Sequence, residues 1–313
     1  MAIAEGLKRM SSGRQRDVEW PTIVLIAVVY TTLMMLVWFH ASLPWWVIMP
    51  IGTYCAALHV SLQHEVLHGH PTGNRLINEA LVFPTPALWL PYHRYKRLHL
   101  AHHNDENLTD PRLDPESYYL LPEQWSELTG IRRTLFSINQ TLAGRMLIGP
   151  AVSIIRFWSS EFRDIAKGNR ETARAWAWFA VAAAITITYV VWICGMPLWQ
   201  YLLLIAYPGI SLALVRSYCE HRAAEMVDHR TIIVEASPFW SLLFLNNNLH
   251  VVHHSHPTLA WYKIPAIYRA ERDRLIARND GYLMRGYGEI FARYFVRAKE
   301  PISYPNMGWL KKL

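Results

Sequence analysis

The chain has 313 residues, of which 52% are hydrophobic and 18% charged, and its formal net charge is +7. From Trp20 to Gln63 the only ionisable Asp, Glu, Lys, Arg or His residues are two histidines, and from Ala175 to Val215 there are none. A membrane span takes about 20 apolar residues, so each interval is long enough for two spans. The basic residues elsewhere alternate with acidic ones and form no recognisable nucleic-acid module, which excludes nucleic-acid binding.

Each apolar interval divides at a short turn without Lys or Arg, whereas both of its flanks carry them. The positive-inside rule therefore predicts that both turns face outward and that both chain termini are cytoplasmic, in a membrane expected to be a bacterial inner membrane. The polar residues 1–19 are predicted to be a cytoplasmic tail before a retained anchor. The predicted spans are residues 21–39, 45–62, 176–194 and 198–215.

Two apolar segments between the predicted hairpins are not expected to span. Residues 78–91 are broken by three prolines and predict an interfacial or re-entrant piece, while residues 135–158 contain Arg145 and Arg156 and predict an amphipathic helix lying on the membrane. The fold class is therefore an all-α integral membrane protein with four transmembrane helices in two hairpins and a cytoplasmic histidine-rich cap. We expect residues 1–313 to form one domain.

Histidines concentrate in three clusters, each next to a predicted cytoplasmic end of a span or in a cytoplasmic segment. Within a cluster the first histidine is followed by others three or four residues later, and on a helix these offsets bring side chains to one face. An isolated histidine follows the fourth span. These clusters can converge on one cytoplasmic site, for which the predicted metal ligands are His64, His68, His99, His102, His103, His221, His250, His253 and His254.

Nine imidazoles are too many for one ion, since zinc takes four ligands. They suit two first-row metal ions whose shells are completed by oxygen or water, and iron with an O₂ reaction is compatible with such nitrogen-rich ligation. A zinc metalloprotease is an alternative because residues 64–68 read His-Glu-x-x-His, but it would need only one further ligand and would leave six imidazoles unexplained. A metal transporter is another, although it would need ionisable ligands within the spans.

Three segments carry a family resemblance: His64-Glu65-Val66-Leu67-His68, His99-Leu100-Ala101-His102-His103 and His250-Val251-Val252-His253-His254. In order and separation they resemble the three histidine boxes of membrane fatty acid desaturases and related hydroxylases, and the two hairpins are similar as well. The resemblance covers roughly residues 20–265. The run Asn-Asn-x-His-x-x-His-His and the following Pro257, Trp261 and Pro265 are similar to the bacterial-type members.

The resemblance implies a non-haem di-iron centre held by the nine histidines, with His221 matching the family's isolated ligand. It implies that O₂ and two electrons from a partner are used to remove hydrogen from an unactivated C–H bond of a fatty acyl or lipid-like chain, with desaturation expected. Hydroxylases and carotenoid ketolases carry the same boxes and stay open as alternatives. An asparagine beside the metals in some members corresponds to Asn246 or Asn247.

The sequence contains no segment similar to cytochrome b5. Electrons are therefore expected from a separate ferredoxin- or rubredoxin-like donor with its reductase. Acidic residues are candidates to orient the ligand imidazoles through their second ring nitrogen. These candidates are Asp105, Asp110, Asp114, Glu220 and Glu225.

Further residues have weaker expectations. His59, inside the second predicted span, is expected to be buried and hydrogen-bonded, and Trp89 or Trp261 to line a substrate channel. Four basic residues either bind an anionic head group or serve as positive-inside anchors: Arg94, Lys96, Arg97 and Arg222. Four histidines lie off the box pattern and are expected to be solvated, with hydrogen bonding to a ligand imidazole as the alternative role: His70, His93, His229 and His256.

Overall fold

The computed structural model describes residues 18–305, except for the side chain of Asp105. The predicted tail, residues 1–19, thus lies almost entirely outside the described residues. Within them, four helices are long and apolar enough to cross a membrane, which confirms the predicted number of spans. The first to fourth spans are Trp20–Trp38, Trp45–Leu67, Arg170–Ile193 and Leu198–Glu220.

Two spans extend beyond their predicted ends. The second span was expected to end at residue 62 and the fourth at 215, but the helices continue to Leu67 and Glu220. The sequence becomes polar at these points, yet helical hydrogen bonding continues because no proline or glycine interrupts it. As a result, His64 lies on the last turns of the second span, and His68 directly follows it.

The second and fourth spans pack closely because small residues face each other. A Cβ atom added to Gly209 would lie 2.6 Å from Cβ of Ala56, and one added to Gly52 would lie 2.7 Å from Cγ1 of Ile205. Near this contact the fourth span contains a π-helical segment, Leu202–Ala206, shortly before Pro208. Proline has no backbone N–H to donate, so the helical hydrogen-bond pattern is interrupted near Pro208. The second span contacts the fourth span beside this locally widened π-helical turn.

The remaining α-helices are shorter and complete a mostly helical fold. They are Arg75–Leu81, Tyr92–His102, Pro122–Glu127, Gly130–Asn139, Leu142–Leu147, Gly149–Ala166, Pro238–Leu243, His250–Ser255, Ile264–Arg278 and Tyr287–Tyr294. Short 3₁₀ segments cover Asp105–Asn107, Val227–Arg230 and Trp261–Lys263. None of these helices is among the four candidate spans.

The segment 135–158 was predicted to be an amphipathic helix rather than a span; it is not among the candidate spans, as predicted, but it is not a single helix. It is shared by three helices, Gly130–Asn139, Leu142–Leu147 and Gly149–Ala166. The first break has a local cause: the Thr141 side chain accepts a hydrogen bond from the backbone N–H of Gly144 at 3.0 Å and so caps a new helix. The chain can therefore fold back against the fourth span instead of running straight.

A two-stranded parallel sheet supports the third histidine cluster. Ile233–Val234 pairs with Leu283–Met284, and the backbone N–H of Val234 also donates to the carbonyl of Asn248 at 2.8 Å. The hydrophobic pattern did not predict these strands, because two residues are too few to show an alternation. They tie the chain on both sides of the cluster to the rest of the protein.

Candidate metal centre

Five of the nine predicted ligands form one group, which we call the first group. Its members come from all three histidine boxes, and their ligand nitrogens all lie within 4.8 Å of one another: His64, His68, His99, His103 and His253. Nε2 of His103 is 3.0 Å from Nε2 of both His99 and His253. Neighbouring ligands at right angles around an ion, with bonds of about 2.1 Å, are about 3 Å apart. The spacing therefore suits one metal ion.

The other four predicted ligands form the second group, again with all ligand nitrogens within 4.8 Å of one another: His102, His221, His250 and His254. Nε2 of His221 lies 3.1 Å from Nε2 of His102 and 3.1 Å from Nε2 of His250. His221 is the residue directly after the fourth span. The end of that span thus supplies a central member of the second group.

The two groups lie side by side because consecutive histidines point to different groups. Successive residues on a helix are rotated by about 100°, so His102 joins the second group and His103 the first, and likewise His254 and His253. Across the boundary, the rings of His103 and His254 stack with centroids 4.5 Å apart. The structure thus brings all nine predicted residues into two adjoining groups.

Acidic and amide side chains fix the orientation of three of these rings. Nδ1 of His102 is 2.8 Å from Oδ1 of Asp114, Nδ1 of His99 is 3.0 Å from Oε1 of Glu116, and Nδ1 of His250 is 2.9 Å from Oδ1 of Asn247. Each of these oxygens can only accept, so each Nδ1 carries the proton. The Nε2 lone pair of each ring therefore faces its group, as a metal ligand requires.

The predicted orienting acids have different outcomes. Asp114 contacts the ring of a predicted ligand, His102, as expected, and Glu220 has a carboxylate oxygen 3.7 Å from Nδ1 of His250. Asp110 instead accepts from the backbone N–H of Arg112 at 2.7 Å, and Glu225 is exposed. The Asp105 side chain lies outside the described part of the structure.

Sequence reasoning missed Glu116. It follows Asp114 by two residues, and its backbone N–H donates to Oδ1 of Asp114 at 2.9 Å. This turn directs both carboxylates at the second histidine box. The Asp-Pro-Glu run in the acidic loop after that box was the available signal.

Most of the rings are neutral because they are buried. Burial, together with repulsion from neighbouring imidazoles, lowers the pKa of His68, His221 and His253 well below the ordinary value. For His102, burial also lowers the pKa, but the carboxylates of Glu116 and Asp114 outweigh this effect and raise the pKa to about 9. These carboxylates make the His102 ring more basic and hence a stronger donor to a cation.

The donor set fits a metal ion. The Nε2 atoms of His64 and His68 are buried and have no hydrogen-bond partner among residues 18–305. Leaving such an atom unsatisfied costs about 1–3 kcal/mol. Two inward-facing groups of neutral nitrogen donors would hold two cations and thereby satisfy these atoms.

The histidines outside the two groups differ from one another. His59 is buried and Nε2 lies 2.8 Å from the Tyr30 hydroxyl, as predicted. His70 was expected to be solvated, which is wrong: it is buried, and Nδ1 lies 2.8 Å from the Glu19 carboxylate. The segment before the first span covers it, since Glu19 N–H donates to the carbonyl of Pro71. His93, His229 and His256 are half-buried and belong to neither group.

Glu65, the acid of the His-Glu-x-x-His run, does not belong to either group. Its carboxylate accepts a hydrogen bond from the backbone N–H of Trp261 at 2.9 Å, and it clusters with Glu19 and His70. The indole of Trp261 in turn donates to the Thr22 hydroxyl at 3.2 Å. Glu65 therefore connects the first box to the chain after the third box.

A cavity of about 630 Å³ adjoins the second group and reaches His102 and His221. Aromatic and aliphatic side chains form much of its wall, among them Trp89, Phe136, Phe157, Ile210 and Leu214. Trp89 thus lies where a channel residue was expected, whereas Trp261 is not part of this wall. The cavity is large enough for an apolar chain.

The comparison with curated proteins finds no match. The family model described as "Fatty acid desaturase" matches residues 41–286, which include all nine histidines and both groups. The match extends over more than three quarters of the sequence. With four apolar helices and three histidine boxes around one centre, this chain belongs to the fatty acid desaturase family.

Proposed function

We propose that this protein is an O₂-dependent non-haem di-iron oxidase that introduces a double bond into a fatty acyl or lipid-like chain. The nine histidines hold two iron ions, five ligands in the first group and four in the second. When bound, the irons supply the activation of O₂. The protein itself orients the ligands through Asp114 and Glu116, binds the substrate chain and excludes water from it.

The observation that carries this proposal is the division of adjacent histidines between two groups. In a site for a single ion, only one histidine of each adjacent pair would face the ion, because successive residues on a helix point in different directions. Instead His102 and His103 serve different groups, and so do His253 and His254. Two neighbouring cations are the arrangement that uses all four residues.

The overall reaction balances when two electrons from a separate donor are included. Forming a double bond removes two hydrogen atoms, and therefore two electrons, from adjacent carbons. Two further electrons come from a separate ferredoxin- or rubredoxin-like donor with its reductase, and with two protons they complete the reduction of O₂ to two molecules of water. A hydroxylase or a carotenoid ketolase would use the same donor set but leave oxygen in the product.

The zinc-protease alternative is less well supported. Its general base would be Glu65, yet this carboxylate accepts from Trp261 N–H and lies in a cluster with Glu19 and His70. A catalytic carboxylate in a protease must reach a metal-bound water. The metal-transporter alternative lacks support from the third span after Arg174, where no ionisable Asp, Glu, Lys, Arg or His occurs.

We also propose that both termini and the histidine centre lie on the cytoplasmic side of a bacterial inner membrane. The support is the absence of Lys and Arg from residues 40–44 and 195–197, which join the paired spans. A cytoplasmic centre gives a soluble electron donor access to the metals. Reporter fusions at residues 42 and 313 test this topology, and an external C-terminus would overturn it.

The function is tested with full-length protein purified with iron, a ferredoxin and reductase, and saturated lipids under ¹⁸O₂. We expect two irons per chain, an unsaturated product, and the label in water only. His253→Ala should lower the iron content and abolish product, whereas His229→Ala, outside both groups, should change neither. Label in the product would establish hydroxylation or ketolation, and one zinc with no O₂ consumption would overturn the di-iron proposal.

A further inference from the structure

Most charges that line the cavity already have partners in the protein. Nε of Arg94 donates to Glu161 at 2.7 Å, and Nε of Arg216 lies 3.1 Å from the Glu220 carboxylate. The carboxylates of Asp114 and Glu116 hold histidines of the centre, as described above. The two arginine–glutamate pairs are neutral and the other two carboxylates face histidines, so none of these groups offers a free cation to a ligand. The cavity-lining arginines without an ion pair to a described residue are Arg145 and Arg156, both within the segment 142–166.

Arg145 is a buried cation that has no carboxylate partner among residues 18–305. Only 6% of its surface is exposed, and its side chain makes one hydrogen bond to a described residue, from Nε to the carbonyl of Asn139 at 3.3 Å. Its guanidinium lies over the rings of Tyr118 and Tyr218, at 5.2 and 5.9 Å from their centroids. Cation–π contacts compensate only part of the cost of burying a charge. Both terminal nitrogens thus lack a hydrogen-bond acceptor among the described residues.

Arg156 supplies a second cation to the same cavity. It lies on the helix Gly149–Ala166, over the ring of Phe136 at 5.3 Å, and makes no ion pair with a described residue. Burial, aided by repulsion from Arg156, lowers the pKa of Arg145. The two guanidinium groups are therefore close enough to repel each other. Two acids on this helix line the cavity: Glu161, which pairs with Arg94, and Asp164, which follows Arg156 by eight residues, about 12 Å along the axis.

We propose that Arg145 and Arg156 bind the anionic end group, a carboxylate or a phosphate, of an amphipathic substrate whose apolar chain lies in the cavity beside His102 and His221. Two guanidinium groups without a counter-ion suit such an anion, because arginine pairs with carboxylate and phosphate through parallel hydrogen bonds. The apolar wall of Trp89, Phe157 and other side chains suits the chain. This inference rests on the proposed function and narrows it to substrates with a charged end, which neutral carotenoids lack.

The probes are dodecanoate, methyl dodecanoate and dodecyl phosphate, with binding to the purified full-length protein in nanodiscs measured by calorimetry. We expect dodecanoate or dodecyl phosphate to bind at least about ten-fold more tightly than the methyl ester, as charge-assisted hydrogen bonds imply. The tighter of the two anions identifies the end group as a carboxylate or a phosphate. Equal binding of all three probes would overturn the proposal.

The variants Arg156→Gln and Arg145→Lys test the two residues separately. Arg156 is exposed, so its replacement should leave folding intact while lowering the affinity for the anion about ten-fold and leaving that for the ester unchanged. Arg145→Lys keeps a cation in the buried position but loses the paired donors. It should weaken anion binding less than Arg156→Gln does. Arg163→Gln is the matched control, since this exposed arginine lies on the same helix and does not line the cavity. Unchanged anion affinity in Arg156→Gln would contradict the proposal.

Binding requires neither O₂ nor turnover, so the two proposals can fail separately. If the enzyme oxidises the methyl ester as well as the acid and binds them equally, the anion site is wrong and the oxidase proposal stands. If the anion binds through both arginines but no oxidised product forms from any chain, the anion site stands and the oxidase proposal is wrong.

Discussion

Asp114 joins the histidine centre to the loop that follows the second box. One carboxylate oxygen accepts from Nδ1–H of His102 at 2.8 Å, and the other accepts from the backbone N–H of Thr109 at 2.8 Å. Asp114 and His102 are both buried. The orientation of the His102 ring is therefore set by a hydrogen-bonded loop, and a change at Asp114 should weaken metal binding even though all nine histidines remain.

Replacing Asp114 by asparagine should weaken metal binding. If the amide oxygen accepts from His102, its NH₂ group meets the N–H of Thr109, and two donors then oppose each other. Loss of a hydrogen bond to a ligand histidine typically costs 10–100-fold in metal affinity or activity. Iron titration of the purified variant, with product formation in parallel, measures the effect.

Asp110→Asn is the control for Asp114→Asn. Asp110 is equally buried in the same loop but contacts Arg112 N–H and no ligand ring. Its replacement should leave the iron affinity close to that of the unmodified protein. Equal iron affinities in both variants and the parent would show that Asp114 does not position His102.

The pair Arg94–Glu161 should be costly to break on one side only. Two hydrogen bonds of 2.7 and 2.8 Å join the side chains, and the Trp176 indole also donates to Glu161 at 3.1 Å. Arg94→Met leaves a buried carboxylate uncompensated, which costs about 3–5 kcal/mol of the free energy of unfolding. Chemical denaturation in detergent micelles measures this loss.

The double variant Arg94→Met/Glu161→Leu should recover most of the stability, because removing both charges leaves no uncompensated group. Arg97→Met is the control, since Arg97 pairs with Glu171 on the surface and exposed pairs contribute at most about 1 kcal/mol. A single Arg94 variant as stable as the Arg97 variant would refute the structural role of the buried pair.

Gly209→Val should destabilise the contact between the second and fourth spans. A Cβ at this position would lie 2.6 Å from Cβ of Ala56, and overpacking of this kind costs about 1–3 kcal/mol. Thermal unfolding in detergent checks the loss, and Ala56→Gly in the same chain should restore part of it. Gly288→Ala, with open space around the new Cβ, should leave the unfolding temperature unchanged or slightly raised. A neutral Gly209→Val would mean that the spans are less close than described.

Glu235 should contribute to stability in a pH-dependent way. The Arg272 guanidinium and the Tyr268 hydroxyl donate to its carboxylate at 2.6 and 2.7 Å, and the hydrogen bond from Arg272 lowers the pKa of Glu235 below its ordinary value of 4.5. A depressed folded-state pKa means that the stabilisation is present above pH 4.5 and lost as the pH falls through the folded-state value. Because the pair is exposed to solvent, which screens it, the loss of stability should be small.

Thermal unfolding of Glu235→Gln between neutral and acidic pH measures this contribution. The variant should be less stable than the parent at neutral pH, and the difference should shrink below pH 4.5. Asp273→Asn is a control, since the Asp273 side chain is almost fully exposed. A constant difference between Glu235→Gln and the parent across the pH range would contradict the assigned titration.

Local sequence was enough for the spans and for the histidine candidates. A segment that crosses a membrane must be apolar along its whole length, so the charge-free intervals located four helices without knowledge of their packing. The offsets of four within each box likewise indicated histidines that share a group, whereas the pairs three residues apart, such as His99 and His102, are divided between the groups. Even so, the second span's end at Leu67 was missed, because a helix continues past the apolar residues wherever its backbone hydrogen bonds remain.

Only the tertiary structure decided how the candidates combine. The sequence placed nine histidines near one side of four spans, but it did not divide them into five and four, since that division depends on how each helix is rotated about its axis. The sequence did not distinguish Asp110 from Asp114 as an orienting acid, and it did not indicate Glu116. Loop residues have no regular repeat from which the directions of their side chains could be predicted. The sequence predicted His70 to be a solvated residue, although the segment before the first span covers it. Membership of a helix is encoded by neighbours in sequence, whereas the partner of a side chain is set by residues far away in the chain.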